Sequence, residues 1–97
     1  PTHPTALPDD ADAIQAVDEA QKSVASTESR TSALVRAAEL TRLRYEGGEL
    51  SRLDVINADR AVLTSRADVA EERRSLAVAQ SDLFRALGGG WTPVPQV

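Results

Sequence analysis

The chain has 97 residues, a net charge of −4 from 15 acidic and 11 basic side chains, and no cysteine. That length admits one small domain; the lack of cysteine excludes a disulfide framework and a thiolate metal site; and interspersed charge excludes the clustered basic face of a nucleic-acid binder. Apolar residues make up 41% but aromatics only 3%, so a thick globular core is not expected, and alanine, which leads the apolar share, favours helix.

Residues 1–8, "PTHPTALP", carry three prolines and read as an extended leader. No basic start with an apolar run marks a signal peptide. If the parent protein is exported, this chain is expected to be a fragment or a mature piece of it. No stretch approaches the ~18 apolar residues of a membrane-spanning helix.

A long helix is predicted over 9–46. Asp9 or Asp10 can cap its start, and Asp12 adds negative charge to the first turn, where the helix dipole favours it. Arg42 and Arg44 place positive charge at the other end. Val17, Ala20, Val24, Thr27, Thr31, Leu34, Ala38, Thr41 and Tyr45 recur at alternating intervals of three and four, the pattern of a coiled-coil seam. Residues 47–51 form the turn. Gly47 or Gly48 supplies the left-handed residue that ends helices, and Ser51 with Asp54 resembles a capping box.

A second helix is predicted over 52–87, with Val55, Ala58, Val62, Ser65, Val69, Glu72, Leu76, Ala79, Leu83 and Ala86 as its seam. Residues 88–97, "GGGWTPVPQV", form a Gly/Pro-rich tail that stops it, with Trp91 covering a helix end. Each helix is about 36 residues, roughly 54 Å at 1.5 Å per residue, and so short a loop makes them antiparallel neighbours. The expected fold is therefore all-α, a long antiparallel two-helix coiled-coil hairpin. A further row on the second helix (Ile56, Leu63, Ala67, Ala70, Ala77, Phe84) and a spread on the first (Ala33, Ala37, Leu40, Leu43) exceed what one partner covers. More helices are expected alongside, from the same chain or from copies, and the isolated chain is expected to self-associate.

Residues 25–32, "ASTESRTS", interrupt the apolar pattern. Folding about residue 49 sets Glu72 opposite Ser26 and Ser65 opposite Ala33, with Arg30 within a turn of Asp68 and Glu72. This level reads either as a weakly packed, solvated stretch or as a polar layer of Arg30, Asp68 and Glu72 that fixes register at a cost in stability. Nothing pairs a nucleophile with a base, and no metal-ligand spacing occurs. An enzyme is not expected, nor a cofactor. His3 reads as inert, and Asp54 as a helix-start charge.

The stretch "RYEGGELSRLDVINADRAVLTSRADVAEERRSLAVAQSDLFRALGGGW" resembles the C-terminal part of TolC-like outer-membrane efflux factors, in the branch that serves resistance-nodulation-division pumps. Arg44, Tyr45, Gly48, Leu53, Asp54, Val55, Ala58 and Arg60 fall on the family's turn pattern without a gap. Leu83, Ala86, Leu87, Gly88, Gly89, Gly90 and Trp91 fall on its terminal one. Ile56, Asn57, Asp59 and Phe84 depart from the pattern. Upstream, "AIQAVDEAQKSV" resembles the start of the preceding helix, with a shorter spacing to Tyr45.

The resemblance implies a homotrimer with a β-barrel in the outer membrane and a helical tunnel through the periplasm. It also implies two partners, a periplasmic adaptor protein and an inner-membrane pump. This segment would be the periplasmic hairpin, and its tip (Tyr45, Gly47, Gly48, Glu49, Leu50 and Ser51) would dock the adaptor and gate the entrance. Tyr45 matches a residue that holds the entrance shut; packing on the seam is its plainer role. Leu50 stands where the family's namesake has a basic residue that helps closure, with Arg52 in the next turn as the candidate substitute. A two-glycine turn is expected to expose backbone amides and carbonyls, so that a partner hairpin approaches the backbone closely. Two other readings stay open: a self-associating helical module without a transport role, and an adaptor hairpin.

Overall fold

The computed structural model describes residues 10–88. The expected leader with His3, Asp9, and the tail from Gly89 onward, Gly90 and Trp91 included, lie outside them. Two helices, α1 (Asp10–Glu46) and α2 (Arg52–Ala86), fold back on each other as an antiparallel hairpin, and the described residues hold no strand. At 37 and 35 residues they extend about 55 and 52 Å at 1.5 Å per residue.

Local chemistry accounts for where each helix stops and starts. Asp10 and Asp12 lie in the first turn of α1 and Arg44 in its last, each with the favourable dipole sign. The chain then leaves α1 through a Schellman motif. Glu49 N–H reaches back to the Arg44 carbonyl at 2.8 Å, and Gly48 N–H to that of Tyr45 at 3.0 Å. Only Gly48 takes the left-handed conformation, at φ +85°. Gly47 stays on the negative side, and a Cβ there would meet nothing closer than 3.6 Å. Ser51 caps α2 in extended conformation. Its N–H donates to Asp54 Oδ2 at 2.9 Å, and its Oγ accepts from Asp54 N–H at 3.3 Å. This is a complete capping box with Asp as its acid. Leu50 precedes the cap and Val55 is the fourth helical residue, the two positions of a hydrophobic staple; both are half-buried. α2 ends at Ala86 with Leu87 as its cap residue, and Gly88 is left-handed at φ +82°.

The core is a single stripe. Thr27, Ala38, Val62 and Ser65 are the buried residues among those described. The other seam positions are half-buried, except Tyr45, which is exposed. Ile56, Leu63, Ala67, Ala70 and Ala77 on α2, and Ala33, Ala37, Leu40 and Leu43 on α1, face outward; Phe84 is half-buried. Leu43 and Leu63 are each 64% exposed.

The facing of the helices differs from the simple fold about residue 49. Ser65 Oγ meets Thr31 Oγ1 at 2.5 Å, so it faces Thr31, not Ala33. Ala33 is off the seam and exposed. In an antiparallel pair a seam residue can meet only another seam residue, and Thr31 is the one at that height. Glu72 shifts likewise, away from Ser26, to a groove with Ala20, Ser23 and Ala79.

The two glycines should respond oppositely to alanine. Gly48→Ala forces a Cβ into the left-handed region and should destabilise the hairpin by ~1 kcal/mol. Gly47→Ala should be neutral or stabilising by up to ~1 kcal/mol, through reduced freedom of the unfolded chain. Urea melts of both variants, followed by helical ellipticity, provide the comparison.

Candidate functional site

The hairpin has two places where unusual residues converge: its tip and its middle. At the tip, Tyr45 and Glu46 close α1 and stay exposed. Glu49 leans back toward Arg44, whose Nε lies 3.9 Å from its carboxylate; both are largely solvated, so the pair adds little stability. Leu50 is half-buried, and Ser51 is committed to the capping box.

The backbone of the turn is less available than its glycines suggest. The N–H groups of Gly47, Gly48, Glu49 and Ser51 already donate within the hairpin, to Leu43 O, Tyr45 O, Arg44 O and Asp54 Oδ2. The expectation that this turn exposes its amides is therefore corrected for these four. A helix C-terminus and a helix N-terminus that share five residues must each satisfy their orphan groups locally, and the Schellman motif and capping box do so end to end.

In the middle, Arg30 Nη2 reaches Asp68 Oδ2 at 3.1 Å across the helices. Glu72 does not join them. One of its carboxylate oxygens is buried without a hydrogen-bond partner. Three further links cross the seam that periodicity alone did not disclose. Arg42 meets both carboxylate oxygens of Asp59, at 3.1 and 3.2 Å. Arg73 pairs with Glu28, and Ser65 with Thr31. Arg42, expected beside the end of α1, lies before its last turn and bonds to α2 instead. The signal for these pairs lies in the sequence: each charge flanks a seam residue by one position, where antiparallel coiled coils place their ion pairs.

The described residues hold no group of three or more acidic or histidine side chains that could bind a metal. The hollows along the helices are open grooves. One of them, about 410 Å³, runs between Ala38 and Val62 at its floor and Arg42, Asp59, Leu63 and Arg66 at its rim. Such grooves suit another helix better than a small molecule, which is bound in enclosed clefts. No described helix is long and apolar enough to cross a membrane.

A long hairpin with a capped turn and two apolar flanks is a part designed to stand beside others, and comparison with known proteins identifies the setting. The family model for outer membrane efflux proteins matches residues 2–89. The chain belongs to the outer membrane efflux protein family. It is 31% identical over 87 residues to outer membrane protein OprJ of Pseudomonas aeruginosa. That match covers 90% of this chain and 18% of OprJ, so the efflux-family chain spans under a fifth of its relative's length. No solved structure matches it. The turn and terminal motifs quoted above lie within the matched span, apart from the final Gly90 and Trp91.

The exposed rows give this chain a tendency to associate. Burial of a few hundred Å² at ~25 cal/mol per Å² offsets much of the entropy lost on pairing. Light scattering over a concentration series should show dimers or larger bundles. A strictly monomeric, fully helical species at high concentration is the contrary result.

Proposed function

We propose that this chain is the periplasmic helical hairpin of an outer-membrane efflux channel, a non-enzymatic part of the tunnel through which small molecules are exported. Its full-length parent is a homotrimer in the outer membrane of a Gram-negative bacterium. The tip from Tyr45 to Ser51 docks the periplasmic adaptor, which joins the channel to an inner-membrane pump, and takes part in gating the entrance.

The observation that carries this reading is the turn itself, together with the family match. Two helices of about ten turns each converge on a five-residue tip that is braced from both sides by its own caps. A braced tip keeps its form under contact, as a docking element must. Its crown is small: no side chain of Gly47 or Gly48 obstructs approach, and nothing within 4 Å crowds the Cβ direction of Gly48. With four amides engaged, the recognition surface is made of carbonyls and of the exposed Tyr45, Glu46 and Glu49 side chains. A matching adaptor brings hydrogen-bond donors. Arg52, exposed at the first position of α2, remains the candidate substitute for the basic closure residue that Leu50 displaces.

The second reading, a self-associating helical module without a transport role, draws on the exposed apolar rows. A tunnel wall also needs such rows, so the tip decides between the two. Gly47→Trp is the informative change, because its backbone and surroundings accept a side chain without disturbing the turn. In the full-length protein it should leave channel level and trimer formation unchanged. It should also lower drug resistance in a complementation assay and tip-to-adaptor cross-linking at least tenfold. Gly48→Pro should damage folding and function together, because it locks φ far from +85° and removes a backbone donor. Unchanged resistance and cross-linking in Gly47→Trp would overturn the docking role and favour the module.

A further inference from the structure

The polar middle of the seam holds an ordered set of bonds. Thr31 Oγ1 donates to the Thr27 carbonyl at 2.8 Å. A hydroxyl has one proton, so in the 2.5 Å contact with Ser65 it is Ser65 that donates and Thr31 that accepts. The result is a relay from α2 through Thr31 into the backbone of α1. Ser65 is 2% exposed and Thr27 6%, the most hidden polar residues described. Charges bracket the relay on both sides with opposite sense. On one flank α1 supplies the cation, in Arg30–Asp68; on the other α1 supplies the anion, in Glu28–Arg73. Arg42–Asp59 continues the second flank toward the tip.

We propose that this set is a register code for the hairpin: the Ser65–Thr31–Thr27 relay and its bracketing ion pairs admit one alignment of α1 with α2 and penalise its neighbours. The neighbouring alignments are those shifted by one heptad, which keep apolar seam positions on the seam. A shift in one direction sets Arg42 against Arg66, and in the other against Arg52. Both replace an attraction with a repulsion. Arg30 then meets Ser75 or Ala61 in place of Asp68. Ser65 meets Ala38 or Val24 in place of Thr31, which strands a buried hydroxyl in either case, and stranded hydroxyls are costly. The ion pairs are roughly half-exposed, so each contributes little by attraction alone. Discrimination comes from most of them failing together: Glu28 alone finds a substitute cation, Arg66, and only in the alignment that sets Arg42 against Arg52. An alanine-containing seam needs such a device, because Ala20, Ala38, Ala58 and Ala79 offer no bulky knob to oppose sliding. The turn fixes alignment only near itself, and the far ends are some 50 Å away.

The chain has no cysteine, so spin labels can be placed at will. Labels on Gln21→Cys and Asn57→Cys, both exposed, are separated by about 30 Å along the axis in this alignment, and a heptad shift changes that by about 10 Å. Labelled 97-residue chain diluted in unlabelled chain reports distances within one molecule, with helix content followed by circular dichroism. The parent should give one narrow distance. Thr31→Val with Ser65→Val should stay helical and show a second population displaced by about 10 Å. Adding Asp59→Arg with Arg66→Asp, which moves the partner of Arg42 by one heptad, should make that population dominant. One unmoved distance in the valine variant and in the re-addressed variant overturns the proposal. So does a parent that is already heterogeneous, or loss of helix in the valine variant, which would make the hydroxyls a source of stability and not of alignment.

Discussion

Two helices can hide only the stripe they share, and most features of this hairpin follow from that. Four residues are buried among those described, and the remaining seam positions are half in water. Hydrophobic burial grows with the area removed from solvent, so a seam this narrow leaves little margin for flaws at its ends or middle. The two helix ends that meet at the tip are accordingly closed with complete capping motifs. Apolar surface that the seam cannot hold stays on the flanks, as rows on α2 and on α1. That surplus is intelligible in a family member that spans less than a fifth of its relative's length, and the proposed tunnel wall would set further helices against it.

Much of this was legible in the residues because it depends on short-range rules. The seam from Val17 to Thr41 and from Val55 to Ala86 follows from a period of three and four; Tyr45, expected on it, is exposed. The helix break follows from glycine, and the start of α2 from Ser51 with Asp54, since each acts on the backbone within one turn. The family likewise showed in the spacing of Arg44, Tyr45, Gly48 and Asp54. What the sequence did not give directly was facing. The seam pattern itself excludes Ala33 as the partner of Ser65, but which seam residue Ser65 meets depends on how the turn closes, and that no local pattern encodes. Arg42 looked like a dipole partner at the end of α1 and proved to bond across to Asp59, because a long side chain near a helix end can reach the neighbour as well as the terminus. The availability of the tip amides was misjudged for a related reason: glycine signals freedom of the backbone, not vacancy of its hydrogen bonds.

Polar residues in the seam divide the hairpin into two apolar lengths. Leu34, Ala38, Val55, Ala58 and Val62 line the half toward the tip, and Val17, Ala20, Leu76, Ala79 and Leu83 the half away from it. Between them the hydroxyl relay supplies direction where the alanines supply only closeness. Glu72, with an unpartnered buried oxygen, is the least satisfied member of this zone. A buried acceptor without a donor costs free energy, so Glu72 offsets part of what the adjoining relay, with its hidden Ser65 and Thr27, contributes.

The antiparallel turn has one electrical consequence. It brings the negative C-terminal end of α1 beside the positive N-terminal end of α2, so their dipoles oppose and largely cancel at the tip. Arg44 and Glu49 lie together there, and Asp54 closes on Ser51, which shortens the reach of the remaining charge. The tip therefore projects little field into the surrounding solution. A partner arriving there is guided by fit at contact distance and not drawn in from afar, and added salt should alter its approach only slightly.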